Sequence, residues 1–284
     1  MTQPAYAPSD ARLAASASRV DAPIGVFDSG VGGLSILQAL RQELPHEDFV
    51  YLADDRYAPY GERDAGFVAE RAHRLTELLQ HATGGLKALV VACNTATAAA
   101  IASLRHQHPA LPIVGVEPAL KPAVALSHTG RIGVLATRGT LGSAKFRHLL
   151  ASLQGQADFV CQPCDGLADA IERDDAPVIE ALCADYTSAI GQFGTQKSSV
   201  DTLVLGCTHY PFAQGVLQRL VGPQVGLVST GVPVAQQTRR RLHTLQHATH
   251  TARLHCYATG SGAALHAALR RWLALDLPVQ PLTG

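Results

Sequence analysis

Two cysteines recur in matching local settings: Cys93 in Ala92-Cys93-Asn94-Thr95 and Cys207 in Gly206-Cys207-Thr208-His209. Each follows a short apolar run and precedes a segment opened by small polar residues. Each is therefore expected at the end of a strand and the start of a helix, where the backbone dipole and free amides favour a thiolate. A single cysteine beside a buried strand is most often a small core residue; two at equivalent places point to chemistry. Thiols flanking one cleft from opposite sides suit a reaction at a stereocentre. One removes a proton, the other returns a proton to the opposite face, and the carbon is inverted. Such a site needs one thiolate and one thiol at rest, and sulfur can be tuned near neutral pH. Asp28 and His209 are candidates to orient or tune the two thiols.

The same kind of position is occupied by Asp28-Ser29-Gly30-Val31-Gly32-Gly33 and by Thr137-Arg138-Gly139-Thr140. The three glycines allow a backbone to pass close to a ligand and supply amides for an anion. They follow neither the dinucleotide fingerprint nor the P-loop spacing. Two other function classes use fewer of these residues. A hydrolase with Cys207 as nucleophile and His209 as base leaves Cys93 idle, and a two-lobed amino-acid-binding protein needs no thiol.

These residues must be positioned by an α/β scaffold. Strands are expected at 24–27, 49–53, 88–92, 113–116, 132–135, 157–160, 202–205, 226–228 and 254–258. Helices are expected at 34–44, 63–81, 95–106, 141–153, 177–193, 212–220, 232–245 and 262–273. Apolar strands without polar alternation read as a parallel sheet covered on both faces by helices. There is also an internal echo. Ile24-Gly-Val-Phe-Asp-Ser recurs as Ile132-Gly-Val-Leu-Ala-Thr, 108 residues on, and Ala88-Leu-Val-Val-Ala-Cys as Thr202-Leu-Val-Leu-Gly-Cys, 114 residues on. The similar offsets predict two related halves with a ligand site at their strand ends.

Composition excludes several classes. Of 284 residues, 47% are hydrophobic, enough for a large core, so a wholly disordered chain is excluded. Lys+Arg and Asp+Glu both number 23, which leaves no electrostatic footprint for nucleic acid or an anionic membrane. No apolar run approaches the ~18 residues that span a bilayer. Residues 1–22, rich in Ala, Ser and Pro, read as a disordered tail and lack the pattern of a signal peptide, so a cytoplasmic location is expected. Cys161-x-x-Cys164 has no second Cys/His pair at metal-site spacing. His243, His247, His250 and His255 read as a polar helix and its following loop, and Arg239-Arg240-Arg241 as a solvated helix face. None of the four lysines sits in a recognisable Schiff-base setting. No metal and no cofactor are expected.

The stretches IGVFDSGVGGLSIL (24–37), YLADDRYAPYGER (51–63), VVACNTATAAA (90–100), GVEPALKPA (115–123) and VLGCTHYPF (204–212) resemble the glutamate racemases, the cofactor-independent branch of the aspartate/glutamate racemase superfamily. The resemblance runs from about Ile24 to Gly260. It implies two similar α/β domains with the site between them, the first built from 24–115 and 229–284, the second from 116–228. It places the catalytic thiols on Cys93 and Cys207, serving the D- and L-enantiomer respectively. It places substrate contacts on Asp28, Ser29, Tyr60, Gly61, Asn94, Thr95, Thr137, Thr208 and His209. A glutamate that accompanies the second thiol and its histidine in many members matches Glu172, although the local pattern departs from the usual one, with Asp165 and Asp169 nearby. Glutamate is the implied small-molecule partner, a homodimer is compatible, and D-glutamate for peptidoglycan is the implied product.

Overall fold

The computed structural model describes residues 21–242 and 250–283; residues 1–20 of the expected tail, His243 and His247 lie outside them, and the helix expected at 232–245 ends at Arg241, because Leu242 is extended. Two sheets organise the chain. The first is ordered β10-β9-β2-β1-β3-β4, the second β6-β5-β7-β8, and every pairing is parallel. The strands are β1 (Ile24–Asp28), β2 (Phe49–Ala53), β3 (Ala88–Val91), β4 (Ile113–Gly115), β5 (Arg131–Ala136), β6 (Asp158–Pro163), β7 (Thr202–Leu205), β8 (Gly226–Val228), β9 (Leu254–Ala258) and β10 (Val279–Pro281). The order β2-β1-β3-β4 thus recurs as β6-β5-β7-β8. The chain leaves the first sheet after β4 and returns to it at β9.

The sequence echo lies on the central strands of this repeat. Gly25 and Gly133 occupy equivalent places on β1 and β5, and a Cβ at either would meet a leucine from the neighbouring strand region: Leu86 at 2.8 Å for Gly25, Leu203 at 2.8 Å for Gly133. β1, β2, β3 and β7 are buried at every residue, which is why their sequences run apolar without alternation.

Helices α1 (Leu34–Glu43), α2 (Ala65–Thr83), α3 (Asn94–Gln107), α4 (Leu120–Leu126), α5 (Arg138–Gly142), α6 (Ala144–Ala151), α7 (Leu167–Glu172), α8 (Ala176–Ile190), α9 (Gln214–Val221), α10 (Gly231–Arg241) and α11 (Ala263–Leu273) cover the sheets. Their limits follow ordinary capping chemistry. Asp64 accepts from the amides of Gly66 and Phe67 at the start of α2, and Gly84 ends it in the left-handed region, φ 70°. The helix expected at 141–153 is two helices, because Ser143 is extended and its hydroxyl caps α6 at Phe146 N, 3.1 Å. Residues 210–213 form a 3-10 turn before α9 rather than part of it. His255 lies on β9, not in a helix or loop, and the three arginines 239–241 are exposed on α10.

Return of the chain to the first sheet is anchored by Asp48. Its carboxylate accepts from Arg253 N at 2.7 Å, from the Arg253 guanidinium at 2.6 and 3.1 Å, and from His250 Nε2 at 3.0 Å. Burial alone would raise this carboxyl, but the bonds from Arg253 and His250 win and hold it at about 2. A carboxyl lowered by folding stabilises the native state above its unfolded value of ~3.9, and that contribution is lost as pH falls toward 2. Asp48→Asn is expected to lower Tm at pH 7 and to flatten the dependence of Tm on pH between about 4 and 2; calorimetry across that range checks it. A variant with the wild-type acid slope would place the protonation elsewhere.

Candidate active site

In each sheet the strand order reverses direction beside the central strand, between β1 and β3 in the first and between β5 and β7 in the second. Open α/β sheets bind ligands at the carboxyl ends of such strands. The loops leaving these four strands carry Asp28–Gly33, Cys93–Thr95, Thr137–Thr140 and Cys207–His209, and they meet in one narrow cleft. Ser29, Tyr60, Gly61, Cys93, Asn94, Thr95, Thr137, Glu172, Cys207, Thr208 and His209 all line it. Asp28 stands behind the wall, fully buried, its carboxylate taking the Gly33 amide at 2.7 Å.

Sequence reasoning missed Pro59, Glu62, Cys164, Gly166 and Ala168, which also line the cleft beside Asp165 and Asp169. The Cys161-x-x-Cys164 motif was visible, but its two sulfurs are separated in role: Cys161 is exposed on β6, while Cys164 is buried at the cleft wall. Asp165-Gly166 carried a turn signal, and Gly166 does adopt φ 76°.

Cys93 is the N-cap of α3. Its sulfur accepts from the Ala96 amide at 3.5 Å and lies 4.0 Å from Ser29 Oγ, which in turn is 3.5 Å from Asp28 Oδ1. The expected lowering of this thiol by the helix end does not occur. Burial pushes it well above the ordinary thiol range, and the Asp28 charge adds to the rise, outweighing the Ala96 bond. Asp28 is itself raised by burial, against the opposing pull of His209.

Cys207 is built differently. It is followed by the 3-10 turn rather than directly by a helix, and its sulfur lies 3.6 Å from His209 Nδ1. The other ring nitrogen, Nε2, lies 2.8 Å from Glu172 Oε1, and the same oxygen takes the amide of Val31 at 2.9 Å. Burial would lower the His209 pKa, but its bonds to Cys207 and Glu172 raise it well above the usual imidazole range. Glu172 is conversely lowered: burial is overcome by its bonds to His209 and Val31. The pair is thus held as imidazolium and carboxylate.

This pair seats on the loop after β1 because that loop has no side chains in the way. A Cβ on Gly30 would collide with Glu172 Oε1, and one on Gly32 with His209 Nδ1. Further bonds cross between the two halves nearby: Ser35 Oγ donates to the Thr208 carbonyl at 2.7 Å, and the hydroxyls of Thr95 and Thr137 are 3.2 Å apart. Tyr60 is fixed from below, its hydroxyl donating to the buried Asp54, which also holds Arg71 and Thr259. Asn94, nearly buried and lining the cleft, has neither its Oδ1 nor its Nδ2 hydrogen-bonded. Buried polar atoms are seldom left so; a ligand carrying both a donor and an acceptor would satisfy them. No group of three His, Cys, Asp or Glu is placed to hold a metal ion among the described residues.

Residues 24–238 match the family model described as Asp/Glu/Hydantoin racemase. The chain belongs to that family. Among the relatives of this racemase is the glutamate racemase of Ectopseudomonas mendocina, 50% identical over 223 residues, 78% of this chain and 82% of that one. The glutamate racemase of Ralstonia nicotianae is 47% identical over 249 residues, 87% of this chain and 84% of that one. A solved glutamate racemase isoform from Bacillus anthracis superposes with a TM-score of 0.81 at 30% identity, covering 92% of this chain and 97% of that one. The Francisella tularensis glutamate racemase, solved with D-glutamate, gives 0.78 at 25%, covering 93% and 98%. The fold class expected from the sequence, two α/β units with parallel sheets, is that of these neighbours.

The glycine contacts generate a test. Gly32→Ala is expected to cut turnover of the racemase by about 10²–10⁴-fold, the cost of displacing a positioned acid–base partner, with a circular dichroism spectrum like the wild type's. Gly142→Ala, whose Cβ meets nothing within 4 Å, should be silent in both measurements. An active Gly32→Ala enzyme would mean that His209 is free to shift without cost.

Proposed function

We propose that this racemase interconverts L- and D-glutamate without a cofactor, with Cys93 and Cys207 as the two acid–base groups. The observation that carries the reading is the placement of these thiols at equivalent strand ends of the two repeated sheets, both lining one cleft. The names of the relatives support glutamate as the substrate. The thiols are supplied by unlike relays, Cys93 through Ser29 to Asp28 and Cys207 through His209 to Glu172.

In the direction from L to D, Cys207 serves as the base and its sulfur takes the α-proton, beside the His209 imidazolium whose charge Glu172 balances. Cys93, held as a neutral thiol by burial and by Asp28, donates to the other face. The negative charge that develops on the substrate falls between the imidazolium and the amides at the start of α3, a polar environment fixed before the reaction. Reversal uses the same groups with acid and base exchanged. The orphaned amide of Asn94, the hydroxyls of Thr95 and Thr137, and the backbone of Ser29, Gly61 and Thr208 supply the substrate contacts, with Tyr60 shaping the wall. Neither metal nor pyridoxal has a step to perform.

The Cys207–His209–Glu172 chain would also suit a thiol nucleophile. Cys93 on the cleft wall and membership of a racemase family favour proton transfer instead. The reading includes the division into a first domain of 24–115 with 229–284 and a second of 116–228, a cytoplasmic enzyme compatible with a homodimer, and D-glutamate delivered to peptidoglycan. Among the described residues no helix is long and apolar enough to cross a membrane.

Replacement of either thiol by alanine is expected to abolish inversion while leaving one-sided exchange. In heavy water, Cys207→Ala should keep α-deuterium incorporation into D-glutamate and lose it from L-glutamate; Cys93→Ala should do the opposite. Racemisation by Cys93→Ala near the wild-type rate would overturn the two-thiol mechanism.

His209→Asn separates the relay from the thiol it serves. Turnover should fall by about 10²–10⁴-fold, and the acidic and basic limbs of the kcat/KM pH profile should change, since the imidazolium is lost. An unaltered profile would remove His209 from the proton path.

A further inference from the structure

By its buried face α11 belongs to the core of the first sheet, where Leu265, Ala268 and Leu269 pack. Its last turn nevertheless grips the second half at two points. The indole of Trp272, the chain's single tryptophan, stacks on Phe212 with ring centroids 3.6 Å apart and planes within 8°. Trp272 packs against the hydrophobic cores of both halves. The preceding residue, Arg271, pairs through Nη2 with Asp174 Oδ2 at 2.8 Å.

Both contacts fall beside the relay of the second thiol. Phe212 closes the turn that begins at His209, its amide donating to the His209 carbonyl at 3.0 Å. Asp174 lies two residues after Glu172, with φ 57° and its amide donating to the Ile171 carbonyl at 3.1 Å. One helix end therefore holds the segment carrying the imidazole and the segment carrying its carboxylate. Arg271 is more than a third exposed, so its ion pair contributes direction more than strength. The stacked rings, by contrast, bury apolar surface and hold Phe212 in face-to-face contact with the indole.

We propose that Trp272 and Arg271 are positioning residues for the Cys207 half-reaction, holding His209 and Glu172 at bonding distance by clamping the segments on which they sit. Neither side chain lines the cleft; both act through the relay. The corresponding relay of the first thiol, Ser29 and Asp28, lies wholly within the first half, and neither residue sits on a segment paired with Trp272 or Arg271 in the stack or the ion pair described above. Disturbing α11 should therefore slow the proton transfer at Cys207 more than the one at Cys93. The inference rests on the two-thiol reading and adds to it the element that aligns one of the two bases.

The test uses the full-length enzyme with Trp272→Leu, Trp272→Phe, Arg271→Gln and Phe212→Leu. It measures kcat and KM in both directions, the primary isotope effects on α-deuterated L- and D-glutamate, and Tm. For Trp272→Leu the expected result is a fall in kcat of about 10–10²-fold, the cost of a small misplacement of a reacting group, with KM changed far less. The isotope effect should grow more with α-deuterated L-glutamate, where Cys207 is the base, than with the D-enantiomer. Trp272→Phe keeps a ring against Phe212 and should recover most of the rate. Arg271→Gln, at an exposed position, should shift the isotope effects in the same sense to a smaller degree. Where Trp272→Leu fails to fold, the isotope effects of Arg271→Gln and Phe212→Leu decide. Isotope effects that change equally for both enantiomers, or a lowered Tm with unchanged kcat, would show that α11 is only a structural brace. Failure of the two-thiol reading itself would appear separately, as racemisation by Cys93→Ala.

Discussion

One carboxylate oxygen, Glu172 Oε1, joins the two halves of this protein where the chemistry must occur. It accepts from His209 of its own half and from the Val31 amide of the other. For that contact to form, the loop after β1 must come within van der Waals distance of both side chains, and glycine at 30 and 32 is the condition. The rest of the cleft is arranged around it. The approach brings Ser35 to the Thr208 carbonyl and Thr95 to Thr137, and it sets the loops that bear Cys93 and Cys207 on a common cavity.

A repeated scaffold has thereby acquired unlike chemistry at its two equivalent strand ends. Cys93 caps a helix, yet burial beside Asp28 overrides the favourable dipole and keeps it protonated. Cys207 lacks the helix end but has an imidazolium within reach of its sulfur. The backbone symmetry of β2-β1-β3-β4 and β6-β5-β7-β8 places the sulfurs; in the proposed mechanism the unlike side chains around them set their roles. That division suits a reaction that runs in both directions through the same intermediate charge.

Much of this was legible in the residues themselves. Buried parallel strands announce themselves as unbroken apolar runs, and the echo between β1 and β5 marks the repeated strand order. Where legibility failed, the causes are local. Val279-Gln280-Pro281 is too short and too polar to read as a strand, and it pairs only at the sheet edge. α4 carries Pro122, which reads as a breaker but is tolerated in a first turn. Ser143 split one expected helix because its hydroxyl offered a better start than a continued turn. At the site, the residues picked out by motif do line the cleft, apart from Asp28 behind its wall. The stack of Trp272 on Phe212 could not be read, because it joins segments 60 positions apart in different halves. The rise of the Cys93 thiol was also hidden, since burial depth is a property of the assembled fold.

The cleft wall bears Glu62, Asp165, Asp169 and Glu172, and the described lining includes neither lysine nor arginine. On the proposed reading, a dicarboxylate held there is gripped by dipoles: backbone amides, two threonine hydroxyls and the amide of Asn94, with His209 the one positive charge of the described lining. Such a grip differs in kind from an arginine fork. Mobile ions screen fixed charges over distances of ~10 Å at 0.1 M salt, but they do little to a short hydrogen bond inside a water-poor pocket. On the proposed reading, affinity rests on shape, on these fixed dipoles and on the water displaced, and works against the carboxylates of the wall. Discrimination between dicarboxylates of different length rests on whether two sets of fixed dipoles are met at once.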